Sequence, residues 1–265
     1  MDATKLGEEL AELHAHPREV SQFTARYPGL TAEDGYAAAR KLHAHRLAQG
    51  WKPVGRKIGF TNRTIWPRYG VYEPIWGWVY DRTLVPTSGN AATISLAGLV
   101  NPRIEPEIAF RLKSRPPVTK DPVALLASIE WIAHSIEIVQ CFHPAWKLAL
   151  PDCTANNGLH GRLAVGTPVA VEKISGLAAA LPFLKVGLYK GSEKKDEGLG
   201  SNVLGSPLLA LAFLVQVLEE QGEQLLPGEV ISTGTLTDAH PVAPGETWRT
   251  DFHGFAVRGM EVTFA

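Results

Sequence analysis

The sequence predicts an α+β protein with a small helical N-terminal cap, residues 1–50, and a β-rich body, residues 51–265. Leu6, Leu10 and Leu13 recur at a helical period. From Trp51 onward, short apolar runs alternate with Gly and Pro, as strands and their turns do. One long apolar helix signature, bounded by Ser206-Pro207 and Gly222, interrupts the strands late in the chain.

In the cap, Pro28-Gly29 marks a turn between two helices. Thr31-Ala32-Glu33-Asp34 reads as the start of the second, which runs through an Ala-rich stretch until Gly50 stops it. In the body, strands are expected at 57–60, 77–80, 104–112, 185–189, 229–233 and 255–264. Helices are expected at 121–134 and 207–221, the second with Ser206 as N-cap and Pro207 as its first residue. The charged stretch 191–198 reads as a solvated hairpin loop. His14, His16, His43 and His45 are expected to be exposed, because i and i+2 do not share a helix face on which to hold a metal.

Composition narrows the function. The chain has 265 residues, 45% hydrophobic and 20% charged, with a formal net charge of -1. No cluster of basic residues points to nucleic acid or an anionic membrane as partner. Cys141 and Cys153 are too few for a disulfide framework, so a reducing cytoplasm is the expected setting. Met1-Asp2-Ala3-Thr4-Lys5 lacks a signal pattern, and the apolar stretch at 208–218 is too short to span a bilayer. A P-loop, a G-x-S-x-G elbow, H-E-x-x-H and paired C-x-x-C motifs are all absent.

The segment Pro102-Arg103-Ile104-Glu105-Pro106-Glu107-Ile108 carries the strongest chemical signal. In a strand, Glu105 and Glu107 point to one face. Like charges there repel unless a cation lies between them. A divalent metal ion would serve, and so would the flanking Arg103 and Arg111 as surface salt bridges. Glu137, in Ile136-Glu137-Ile138-Val139, is a second charge in an apolar run and weighs toward a metal with oxygen ligands, Mg²⁺ or Mn²⁺. Glu130 is placed on the preceding helix, near solvent.

Lys57, in Gly55-Arg56-Lys57-Ile58-Gly59-Phe60-Thr61, is either an acid/base residue in a glycine-flanked strand or a snorkelling surface lysine. Asp81 is either a general base or a strand-end turn residue. Thr233-Gly234-Thr235 offers hydroxyls and backbone N–H groups to an anionic oxygen, or forms a polar turn. The loop Asn156-Asn157-Gly158-Leu159-His160-Gly161 either lines a polar pocket or only turns. Trp66, Trp76 and Trp78 are either a pocket wall or core.

Taken in order, Gly55–Thr61, Pro102–Glu107, Glu137-Ile138-Val139, Leu204-Gly205-Ser206-Pro207 and Thr233-Gly234 resemble the 2-keto-4-pentenoate hydratase and 4-oxalocrotonate decarboxylase branch of the fumarylacetoacetate hydrolase superfamily. The resemblance implies a mixed β-roll body and a Mg²⁺ or Mn²⁺ ion on Glu105, Glu107 and Glu137. It implies acid/base roles for Lys57 and Asp81, and substrate contacts at Thr61, Asn157, Thr233 and Gly234. It further implies a homo-oligomer, open to complex formation with a pathway enzyme, acting on a small 2-oxo acid from aromatic catabolism. The expected reaction is hydration of a 2-hydroxyalka-2,4-dienoate. A 4-oxalocrotonate-type decarboxylase, with Arg63 or Arg68 as the further cation, is the alternative. A non-catalytic partner subunit is the third reading, prompted by Asn156, which stands where relatives carry a second acid.

Overall fold

The computed structural model describes residues 3–265, so Met1 and Asp2, the first residues of the expected cap, lie outside the described residues. The cap helices run Ala3–Ala15 and Ala32–Ala48. The second starts with a reciprocal cap: the Asp34 N–H donates to the Thr31 hydroxyl, and the Thr31 N–H donates to the Asp34 carboxylate. Leu6, Leu10 and Leu13 form one buried stripe and pack with Leu42 of the second helix. Phe142 and Ala155 of the body complete that cluster, so cap and body share a core.

The body strands begin with β1 (Pro53–Gly59), β2 (Ile75–Tyr80), β3 (Leu84–Val85), β4 (Ala91–Ile94), β5 (Arg103–Leu112), β6 (Ile129–Val139) and β7 (His160–Val165). They continue with β8 (Val169–Ala170), β9 (Lys185–Lys190), β10 (Glu193–Leu199), β11 (Val230–Thr235), β12 (His240–Pro241), β13 (Thr247–His253) and β14 (Glu261–Phe264). The larger sheet has the order β2-β1-β11-β5-β6-β7-β3, with β12 on β5 and β8 on β6. The smaller has the order β10-β9-β13-β14-β4. β1 runs parallel to β11, and β11, β5, β6 and β7 pair antiparallel in turn.

The Pro207–Glu220 helix buries Leu208, Leu211, Leu214 and Leu218 against Ile58, Phe110 and Ile132 of the larger sheet. Ser206 caps it, accepting from the Leu208 N–H. With its preceding turn the segment Gly200–Glu220 has the length and apolarity of a membrane span, which corrects the expectation that this stretch is too short. Its apolar side is spent inside the protein core instead.

Four other expectations fail locally. Residues 121–134 are not one helix: Asp121 and Pro122 start a short one, Pro122–Leu126, and β6 begins at Ile129. Ile132, Ile136 and Ile138 alternate with period two along a ten-residue partner strand, and that pairing overrides the helical start. Glu130 therefore lies on a strand, in an exposed ion pair with Arg111. The charged stretch 191–198 is mostly β10, an edge strand paired to β9, whose charges face water. Only Glu261–Phe264 of 255–264 forms a strand. Among the histidines, His16 and His45 are exposed, whereas His43 stacks on Trp78 and bonds the Tyr80 hydroxyl at 2.8 Å, and His14 is half-buried.

Candidate metal centre and active site

Four central strands of the larger sheet bring the charged residues together. Glu105 and Glu107 project from one face of β5, and Glu137 sits directly opposite Glu105 on β6. Lys57 arrives on β1, separated from β5 by β11. The three glutamates each offer an oxygen within 4.8 Å of the others. Glu107 and Glu137 are 0% exposed and Lys57 is 1% exposed; Glu105 is half-buried and opens onto the cavity.

Two of the carboxylates have their own support. Glu107 Oε2 accepts from the Ser232 hydroxyl at 2.6 Å and the Gly234 N–H at 2.9 Å. β11 slips register between Ser232 and Thr235, which turns this N–H toward Glu107. Gly234 has φ +107°, and a Cβ there would overlap the Thr61 hydroxyl, so only glycine fits. Glu137 Oε1 lies 2.8 Å from His160 Nδ1, and His160 Nε2 lies 2.8 Å from the Thr83 hydroxyl. The Thr83 hydroxyl also lies 3.0 Å from the Tyr80 carbonyl, so its one proton can go to that carbonyl or to Nε2; given to Nε2, it leaves Nδ1 as the only N–H of the ring. His160 then stays neutral and donates from Nδ1 to Glu137. Burial and the Lys57, Arg46 and Arg162 charges hold its pKa well below the ordinary imidazole range, consistent with that state.

Two carboxylate oxygens are left over. Glu107 Oε1 and Glu137 Oε2 are buried and accept no hydrogen bond. Lys57 Nζ stands 3.3 Å from Glu137 Oε2, at ion-pair distance, but directs its hydrogen bond to the Gly158 carbonyl at 2.9 Å. Burial pushes the pKa of Glu105 and of Glu107 up to about 8 against the pull of Lys57, and raises Glu137 as well. Burial presses Lys57 the other way, but the charges of Glu137, Glu105 and Glu107 outweigh it and hold the ammonium above its ordinary value. Three acids around one lysine can all ionise only if a further positive charge joins them. Oxygen donors without partners, on rigid strands, fit a hard divalent cation.

Lys57 and Glu105 of the cluster line a cavity of about 40 Å³, together with Thr61, Thr235 and an apolar wall that includes Phe60, Ile75 and Leu159. Phe60, Trp146 and Leu159 all line it with left-handed backbone, φ 53°, 56° and 65°. Non-glycine residues pay for that conformation, and here it bends the loops inward over the cluster. Arg68, Tyr69 and Trp146 belong both to this cavity and to a wider cleft of about 620 Å³, which also carries Arg103 and Lys147.

The structure gathers only some of the residues expected in the site. Thr61 lines the cavity, and its hydroxyl, on a residue 1% exposed, has no partner. Asp81 does not reach the cluster. Gly77, not Asp81, lies opposite Lys57, and Asp81 is four residues farther, about 13 Å of strand. It is exposed and accepts from the Lys52 and Arg82 N–H groups, the work of a turn residue. Asn157 spends its amide on the Trp78 backbone, at 2.8 and 3.0 Å, and does not line the cavity. The Thr233 hydroxyl donates to the Ile108 carbonyl. Gly234 holds Glu107 rather than lining the cavity. Arg63 lines a separate surface cleft, and Arg68 reaches the cavity mouth already paired with Asp238 at 2.9 Å. Trp76 and Trp78 are core, and Trp146 supplies the aromatic wall in their place.

Comparison with known proteins agrees with this geometry. No family model matches the chain. A curated relative, the 2-hydroxyhexa-2,4-dienoate hydratase of Comamonas testosteroni, is 32% identical over 260 residues, 97% of this chain and 96% of its own. The chain belongs to the 2-keto-4-pentenoate hydratase and 4-oxalocrotonate decarboxylase family. Within that family, the 4-oxalocrotonate decarboxylase of Pseudomonas sp. strain CF600 is 31% identical, covering 93% of this chain and 90% of its own. A solved structure of 4-oxalocrotonate decarboxylase from Pseudomonas putida G7, complexed with magnesium and adipate, superposes with a TM-score of 0.89 at 27% identity over 99% of this chain and 97% of that one. The fold extends to fumarylpyruvate hydrolase from Pseudomonas aeruginosa in complex with Mn²⁺ and pyruvate, with a TM-score of 0.59 at 12% identity over 79% of this chain and 88% of that one.

Sequence reasoning missed His160, Ser232 and Trp146. Ser232 was visible two residues before Gly234 on the same strand. His160 was visible only as a polar residue in a loop, because its partner Glu137 lies on a neighbouring strand. Asn156 is 2% exposed and ends the Leu150–Ala155 helix without lining the cavity.

Proposed function

We propose that this protein is a divalent-metal-dependent hydro-lyase that adds water to a 2-hydroxyalka-2,4-dienoate and releases a 4-hydroxy-2-oxo acid. The observation that carries the reading is the cluster of Glu105, Glu107 and Glu137 with Lys57, which meets a largely apolar cavity through Glu105 and Lys57. Held by those three carboxylates, Mg²⁺ or Mn²⁺ would supply Lewis acidity to the keto and carboxylate oxygens of a 2-oxo acid.

The chain's own residues account for the rest. Ketonisation moves a proton from the 2-hydroxyl to carbon 5 and leaves a double bond conjugated to the new carbonyl. Water then adds across that bond, its oxygen to carbon 4 and a proton to carbon 3. Lys57 starts as an ammonium and is the acid for the first transfer. Once its neighbouring carboxylates share their charge with a cation, its proton becomes easier to lose, and Lys57 can work in both directions. The Thr61 hydroxyl, free of other partners, is the contact for a substrate oxygen. Tyr69 and Asp238 are the remaining proton carriers lining the cavity, and they replace Asp81 as candidates for the second acid/base. Phe60, Ile75 and Leu159 pack the hydrocarbon tail and keep bulk water from the intermediate.

One observation favours decarboxylation of a 2-oxo dicarboxylate instead. Arg103 and Lys147 line the wider cleft that adjoins the cavity, where a second carboxylate could reach them. Against this, Arg68, the arginine that lines the cavity itself, is paired with Asp238. The test incubates the protein with Mg²⁺ or Mn²⁺ and either 2-hydroxypenta-2,4-dienoate or 4-oxalocrotonate. Loss of diene absorbance with formation of 4-hydroxy-2-oxopentanoate is the expected result. CO₂ release from 4-oxalocrotonate with no hydration would establish the second reading, and metal-loaded protein that turns over neither substrate would defeat both.

A further inference from the structure

A second, partly open cavity, of about 200 Å³, lies between the cap helices and the start of β7 in the larger sheet. Its polar lining includes His14, Arg46, Gln140, His160 and Arg162, and no aspartate or glutamate among the described residues. Arg46 is 5% exposed, and its Nη1 is buried without a hydrogen-bond partner. Its guanidinium lies over the Trp51 and Tyr80 rings, 4.9 and 4.8 Å from their centroids, and forms no ion pair among the described residues. Arg162 donates to the Gly161 and Ala97 carbonyls and likewise has no carboxylate partner. His14 Nε2 is also buried without a full hydrogen bond, close enough to the equally unpaired Asn156 Oδ1 to interact with it.

A buried guanidinium is costly unless an anion or a full set of acceptors meets it. Two aromatic rings meet the face of Arg46 and the Tyr80 hydroxyl interacts with its edge, which leaves Nη1 without a partner. We propose that this cavity binds a small oxyanion, a carboxylate or phosphate group, through the edge of Arg46 with support from Arg162. The planar fork of arginine matches such oxygens. The site differs in sign from the metal centre, where unpaired carboxylates would repel the same ligand.

The experiment uses metal-free protein, so that the glutamate cluster has no cation with which to hold an anion. Acetate, succinate and inorganic phosphate are titrated separately against sodium chloride at equal ionic strength, read by calorimetry and by thermal unfolding. The expected result is saturable binding of a carboxylate or of phosphate. Affinity should fall at least tenfold in Arg46→Gln, fall also in Arg162→Gln, and stay unchanged in Lys57→Met. Arg162 is only half-buried, so its variant reports even if Arg46→Gln folds poorly. No saturable response from any of the three anions would overturn the proposal, as would undiminished affinity in both arginine variants. Loss of binding in Lys57→Met would also overturn it, by placing the anion in the other cavity.

Discussion

Two groups of buried charge sit back to back across His160. On one side, three glutamates crowd around Lys57, with two oxygens that accept no hydrogen bond. On the other, Arg46 and Arg162 line a cavity with no carboxylate. His160 joins them: its Nδ1 meets Glu137, and its ring forms part of the second cavity's wall. A fold tolerates such imbalances when a ligand of opposite sign compensates them. The comparison teaches that the sign of the missing charge, more than the size of a cavity, indicates what belongs in it.

The largest expected effect comes from removing the cation of the metal side. Lys57→Met should lower kcat by about 10²–10⁴-fold, the usual weight of a general acid/base, while leaving Mn²⁺ binding in place. A variant that kept its kcat would return Lys57 to the role of a counter-charge.

Next is the dependence of metal-free stability on pH. Glu105 and Glu107 titrate near 8 in the folded chain, against an ordinary glutamate value of 4.5. Their folded pKa is raised, so the folded state holds extra protons between those values. That contribution is complete below about pH 4.5 and is lost as pH rises through 8. The melting temperature of metal-free protein should therefore fall from pH 6 to pH 9, and saturating Mg²⁺ should abolish the fall. Substituting both residues with glutamine should flatten the slope, and an equally steep slope in that variant would mean that other groups cause it.

His160→Gln tests the shared wall. Loss of the Nδ1–H bond to Glu137 should weaken Mn²⁺ binding by about 10–100-fold, the range for partners that orient metal ligands. Unchanged affinity would separate the two cavities energetically. Gly234→Ala should cost about 1–3 kcal/mol of stability, because φ +107° suits only glycine and the added carbon overlaps Thr61. Its effect on metal affinity should exceed that of Thr233→Val, whose hydroxyl serves only the Ile108 carbonyl. Asp81→Asn comes last: kcat should change less than twofold, and a large loss would bring Asp81 back into the chemistry.

The sequence made the metal side legible because its signals are local. Glu105 and Glu107 share a strand face by spacing alone, and Glu137 stands out as a charge in an apolar run. Lys57 became legible only through the ordered resemblance to a family, since a lone lysine in a strand is ambiguous. Asp81, Asn157 and Thr233 misled for one reason. Each is a polar residue at the end of a strand or in a loop, and whether it faces a pocket or a backbone depends on neighbours far away in sequence. The 121–134 stretch failed in the same way, because its β pairing partner lies some twenty residues upstream. The cationic cavity was not legible at all. His14, Arg46 and Arg162 come from three separate elements, and nothing in their spacing joins them.

The most direct measurement is electron paramagnetic resonance of Mn²⁺ titrated into metal-free protein, followed by oxalate as a stand-in for the chelating end of a 2-oxo acid. One tight Mn²⁺ per chain, a spectrum that changes on adding oxalate, and loss of that binding in Glu107→Gln are the expected results. Mn²⁺ bound equally well by Glu107→Gln, or a spectrum indifferent to oxalate, would contradict a metal centre built from Glu105, Glu107 and Glu137.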